Sequence, residues 1–108
     1  MYFIILEAAP RRTHPRYDEL GGAFAACWVA TDDPATAERE ARSVLADAGW
    51  DAKSVDEHYP VERERYLGNE ESLRWYDQAA ADGVYINLNP WPRKRRRGSA
   101  GDAEQAGQ

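Results

Sequence analysis

Two stretches of this chain carry helix punctuation at both ends, and they order everything around them. Asp33 stands before Pro34. An aspartate there accepts from the free amides of a first helical turn, and proline suits the first helical position because its missing N–H would lack a partner anyway. Ala37, Ala41, Val44, Leu45 and Ala48 follow at helical spacing, and Gly49 marks the stop. The second stretch opens at Asn69, with Glu70 and Glu71 set against the positive end of the helix dipole, and closes at Gly83. Its predicted inward stripe is Leu73, Tyr76 and Ala80, which leaves Trp75 off the stripe and partly exposed.

The remaining apolar runs read as strands. Tyr2 to Ala8 is β-rich and buried in character. Gly22 to Thr31 places Phe24, Ala26 and Trp28 on one face and Ala25, Cys27 and Val29 on the other, the pattern of a central strand covered on both sides or using one face for association. Trp50 to Tyr59 alternates weakly, with Ser54, Asp56 and His58 on a wet face, and Pro60 closes it as an edge strand. Val84 to Leu88 is the last strand, ended by Asn89-Pro90-Trp91-Pro92.

The order is β-β-α-β-α-β. Right-handed crossovers then predict an α+β two-layer sandwich, a four-stranded mixed sheet with two helices on one face. In layer count this resembles the ferredoxin-like plait, as a variant that starts with a hairpin. The resemblance covers the body only and rests on no sequence motif, and such plaits host many functions.

Charge divides the chain at Pro92. Residues 1–92 hold nine Lys/Arg against 17 Asp/Glu, net −8, whereas 93–108 hold five against two, net +3. Residues 1–92 suffice for one domain. Residues 93–108 begin with Arg93, Lys94, Arg95, Arg96 and Arg97 and continue without a large apolar residue, so they are expected to be a disordered basic and polar tail. The acidic body favours a basic protein partner, while the tail is the candidate for nucleic-acid contact through phosphates. Glu7 ends the first apolar run early, and no stretch approaches the ~20 apolar residues of a membrane span, so a soluble cytoplasmic protein is expected.

Few residues suggest chemistry. One cysteine, Cys27, and two histidines, His14 and His58, lie in separate segments without metal-ligand spacing, and no cofactor is expected. Gly21-Gly22 is a lone pair that reads as a turn. Arg11, Arg12, His14 and Arg16 gather in the long first loop beside Tyr17, as candidates for gripping an anion or a partner. Trp75 and Trp91 are the candidate interface anchors. The leading expectation is therefore a small non-enzymatic binding module for a protein partner, of inhibitor, antitoxin or immunity type, with a homodimer through a sheet face also expected. The alternatives are nucleic-acid association through the tail, and a small plait-type enzyme with Glu7 or His58 as general base in a cleft between sheet and helices.

Overall fold

The computed structural model describes residues 1–94. Four strands, β1 (Tyr2–Pro10), β2 (Leu20–Val29), β3 (Trp50–Pro60) and β4 (Val84–Pro92), form one open sheet in the order β3-β1-β2-β4. Helix α1 (Pro34–Asp47) joins β2 to β3, and a short 3₁₀ turn (Arg63–Tyr66) leads into α2 (Glu70–Asp82) before β4. The α+β class and the element order are as the sequence predicts. Arg95, Arg96, Arg97 and the rest of the expected tail lie outside the described residues.

Local chemistry sets the helix ends. The Asp33 carboxylate accepts from the Thr36 amide at 2.8 Å and the Thr36 hydroxyl at 2.6 Å. Asn69 Oδ1 accepts from the Ser72 amide at 3.1 Å. Gly49 and Gly83 follow the helices with φ of 91° and 96°, a left-handed region that only glycine enters without strain.

Two expectations about layering require correction. The sheet is antiparallel throughout, not mixed. The crossover through α1 returns on the far side of β1, so β2 and β3 run parallel without being neighbours. The helices also cover opposite faces. Tyr2, Ile4, Leu6 and Ala8 of β1 and Ala23, Ala25, Cys27 and Val29 of β2 pack with Ala37, Ala41 and Leu45 of α1. Phe3 and Trp28 point the other way and pack with Ala79 of α2, together with Tyr59, Trp75, Tyr76 and Tyr85. The cause lies in the central strands. β1 and β2 are apolar on both faces, so a helix pair on one side would leave Phe3 and Trp28 in water.

This second cluster also shows that α2 is rotated relative to its predicted stripe. Trp75, Tyr76 and Ala79 face inward, while Ala80 is exposed. Trp75 lies 5.4 Å from Trp28 and is stacked on Tyr85 at 6.2 Å with only 15° between the planes. Trp28 Nε1 donates to the Tyr66 hydroxyl at 3.0 Å, which satisfies the one polar atom this indole brings into the core. Arg63 forks onto both Asp77 carboxylate oxygens, at 2.8 and 2.9 Å, and ties the 3₁₀ turn to α2.

Both sheet edges are irregular. On β3 the register with β1 slips twice, skipping Asp56 and Lys53, and Pro60 ends the strand. β4 runs further than the sequence predicts, through Pro90 and Pro92. Proline is tolerated there because an edge strand leaves one row of amides without ladder partners.

Candidate functional site

The two faces of the sheet are not equally covered. At the end where β1 meets β2, the α1 side stays closed: Ala8, Leu20, Ala23 and Trp50 are all buried. The loop between β1 and β2 completes that closure. His14 meets Trp50 edge-on at 5.3 Å, its Nδ1 accepts from the Arg16 amide at 3.0 Å, and the Arg11 amide donates to the Gly49 carbonyl at 2.8 Å.

On the α2 side the helix reaches only the half of the sheet around Phe3 and Trp28. Beyond it, the register brings Glu7 between Ser54 and Phe24, with Asn89 opposite Phe24 and Asn87 opposite Ala26. Alternation places these side chains on one face. Glu7, Ser54, Glu57 and Asn89 are exposed, Asn87 is half-buried, and Phe24 is 42% exposed in the middle of a central strand.

Trp91 lies beside Phe24, with ring centroids 5.2 Å apart. Its seat explains Gly21-Gly22, which is not a turn but part of β2. A methyl on Gly22 would meet Trp91 Cζ2, with Cε2 at 2.9 Å; one on Gly21 would lie 2.8 Å from Trp91 Cδ1. The glycine pair is thus the bed on which the indole rests. Trp91 is half-buried and also walls a hollow of about 330 Å³ with Arg16, Glu19, Leu20, Pro90 and Pro92. A second hollow, of about 280 Å³, lies between Arg74, Trp75, Gln78 and Tyr85.

The candidates named from sequence separate into two places. Trp91 belongs to the uncovered half-face and Trp75 to its border under α2. Arg11, Arg12, His14, Arg16 and Tyr17 belong to the end of the sheet. There Arg11 Nε donates to Asp51 Oδ1 at 2.8 Å and Arg16 Nε to Glu19 Oε1 at 3.1 Å, so two of the three loop arginines are engaged by neighbouring acids. Arg93, assigned to the tail by charge alone, is bound to this loop. Its amide donates to the Glu19 carbonyl at 2.9 Å, its guanidinium donates to the Tyr17 carbonyl at 2.9 Å, and it lies 4.6 Å from the centre of the Tyr17 ring. Lys94 follows, exposed.

Glu7 and His58 do not share a cleft. Glu7 faces the α2 side, whereas His58 sits beside Tyr2 on the α1 side, its Nδ1 hydrogen-bonded to the Tyr2 hydroxyl at 2.8 Å. The β3 slip at Asp56 also puts Ser54 and His58 on opposite faces, although simple alternation would align them. Among the described residues no three His, Cys, Asp or Glu side chains gather as metal ligands would. Burial pushes the Cys27 thiol up to about 12. No described helix is long and apolar enough to cross a membrane.

Phe24, Asn87 and Asn89 went unrecognised in the sequence. Their signal is one of coverage. A ten-residue strand spans about 33 Å, whereas a 13-residue helix spans about 20 Å and cannot cover it. No protein-family model, curated protein or solved structure matches this chain, so the site is read from its own geometry.

Proposed function

We propose that the chain is a non-enzymatic binding module that holds a basic protein partner on the uncovered half of its sheet. The observation that carries this reading is Phe24, exposed on a central strand beside Trp91 and between Glu7 and Asn89. Aromatic rings on a rigid sheet supply contact area at low entropic cost, and they attract cations over their faces. Glu7 and Glu57 lie on the same face and are exposed, so a Lys or Arg of the partner finds both a carboxylate and a ring. The net −8 of residues 1–92 draws such a partner in over a longer range.

A homodimer through this face is disfavoured by the same residues. Two-fold pairing brings the patch against its own copy and gathers the exposed Glu7 and Glu57 carboxylates of both copies into one interface. An inhibitor, antitoxin or immunity role suits a small acidic module of this kind.

The test places a photo-crosslinking phenylalanine analogue at Phe24 and, in a separate variant, at Leu67, an apolar residue exposed elsewhere. A partner captured at Phe24 alone is identified, purified and titrated by calorimetry. Phe24→Ser should weaken it roughly thirtyfold, the effect of losing an aromatic anchor of about 2 kcal/mol. Glu7→Gln should weaken it several-fold. Capture of a second copy, or unchanged affinity in Phe24→Ser, would refute the proposal.

A further inference from the structure

Strand β4 brings more to the uncovered face than Trp91. Tyr85, Asn87, Asn89 and Trp91 follow one another at every second position, opposite Trp28, Ala26, Phe24 and Gly22 of β2. Alternation sets them all on the α2 side, in a row about 20 Å long. Both ends are held. Tyr85 is stacked on Trp75 with 15° between the planes, and Trp91 lies on the glycine pair. Between them, Asn87 and Asn89 make no side-chain hydrogen bond among the described residues, although Asn87 is half-buried. Glu7 lies across Phe24 from Asn89, and Glu57 lies beyond Ala26 and Ile5 at the level of Asn87. Both carboxylates are exposed, and neither joins an ion pair among the described residues.

A carboxamide carries a donor and an acceptor, the same pair that a peptide group carries. Carboxamides at alternate positions of a strand stand about 7 Å apart, and peptide groups along one edge of an extended chain repeat at that spacing. A helix bonds its peptide groups to one another and has none to offer, whereas an extended segment has a free row. Resting on the partner site proposed above, we infer that the partner enters it as an extended segment bearing Lys or Arg, its main chain running along β4 in the grip of Asn87 and Asn89. Phe24 lies under the stem of a basic side chain, and Glu7, about 10 Å from β4 across two strand spacings, meets its charge. The same carboxylates repel a chain of phosphates, and a neutral glycan would leave them unused.

The assay is fluorescence anisotropy of a labelled ten-residue peptide of alternating Lys and Thr, blocked at both termini, with the full chain at 50 mM salt. Two further peptides keep the charge but are N-methylated on the backbone, one at the Lys positions and one at the Thr positions, so each loses the donors of one edge. One of the two should bind roughly tenfold more weakly than the parent peptide. Asn87→Leu and Asn89→Leu keep the charge and the approximate size of the side chain. Each should weaken the parent peptide about fivefold and leave the circular dichroism unchanged. Attraction to net charge alone would be blind to all four changes.

Phe24→Ser reports on the site itself and should also weaken the peptide. If it does so while both asparagine variants and both methylated peptides are silent, the sheet face stands as the partner site and the extended segment is refuted. If the asparagine variants weaken binding and Phe24→Ser does not, the segment stays on β4 and Phe24 loses its role as anchor. A parent peptide that fails to bind, or cellohexaose binding more tightly than the peptide, would overturn the inference.

Discussion

Replacing Gly22 by alanine tests how Trp91 is held. Gly22 is buried under the indole, and a Cβ there meets Cζ2, Cε2 at 2.9 Å and the Ala8 carbonyl oxygen at 3.1 Å. A ring that sits on the backbone cannot bend away at its tip, so either it leaves its seat or β2 and β4 move apart. A tryptophan buries about 150–250 Å², and Trp91 is half-buried. At about 25 cal/mol per Å², losing roughly 100 Å² costs about 2.5 kcal/mol. Forcing the strands apart instead costs a similar 1–3 kcal/mol. Gly22→Ala should therefore destabilise by about 2 kcal/mol, and the melting temperature should fall by roughly 8–16 °C for a domain of this size.

The assay is urea unfolding by circular dichroism of the four members of a double-mutant cycle: the parent chain, Gly22→Ala, Trp91→Ala and both together. With the indole absent only the Ala8 carbonyl oxygen at 3.1 Å still crowds the added methyl, so the second substitution should cost clearly less than in the parent chain and the coupling should exceed about 1 kcal/mol. If Gly22→Ala costs as much without Trp91 as with it, the glycine serves the backbone, and the seat described above is not the reason for its presence.

Other outcomes follow from buried and charged groups. Cys27, fully buried and with its thiol pushed up to about 12, should stay silent to a thiol-reactive dye at pH 8 and react stoichiometrically once urea unfolds the chain. Hydrogen bonds from Thr36 lower the Asp33 carboxyl, and Arg63 lowers that of Asp77, both below the ordinary 3.8. Their stabilisation is therefore present above that value and disappears as pH falls through the lower folded values. Urea midpoints should hold steady down to about pH 4 and decline below it. An Asp33→Asn, Asp77→Asn double variant should start lower at pH 6 and lose less between pH 4 and 2; an unchanged acid limb would refute both assignments.

The parts of this fold that were legible in the sequence are those decided within a few residues. Asp33 and Asn69 bond to amides three positions on, so their caps can be read without knowing the sheet. The parts that were not legible depend on partners far along the chain. Nothing local says that β3 skips Asp56, and that single slip moves Ser54 away from the His58 face. Which face each helix takes followed from apolar demand on β1 and β2, not from crossover handedness between adjacent strands. Trp91 stands out in the sequence as a candidate anchor, but the glycines that seat it lie on another strand, and Gly21-Gly22 alone has the pattern of a turn. Phe24 was hidden because an aromatic in a two-sided apolar strand looks like core until the length of the covering helix is considered.

The irregular borders of the sheet have a consequence for this chain at high concentration. A straight strand edge is a template onto which further chains can add without limit, and fibrils grow that way. Here one border is broken twice, at Asp56 and Lys53, and the other carries Pro90 and Pro92, which have no amide hydrogen to donate. Both borders therefore oppose growth by strand addition. The exposed aromatic face is thus carried on a sheet whose own edges oppose fibril-like extension.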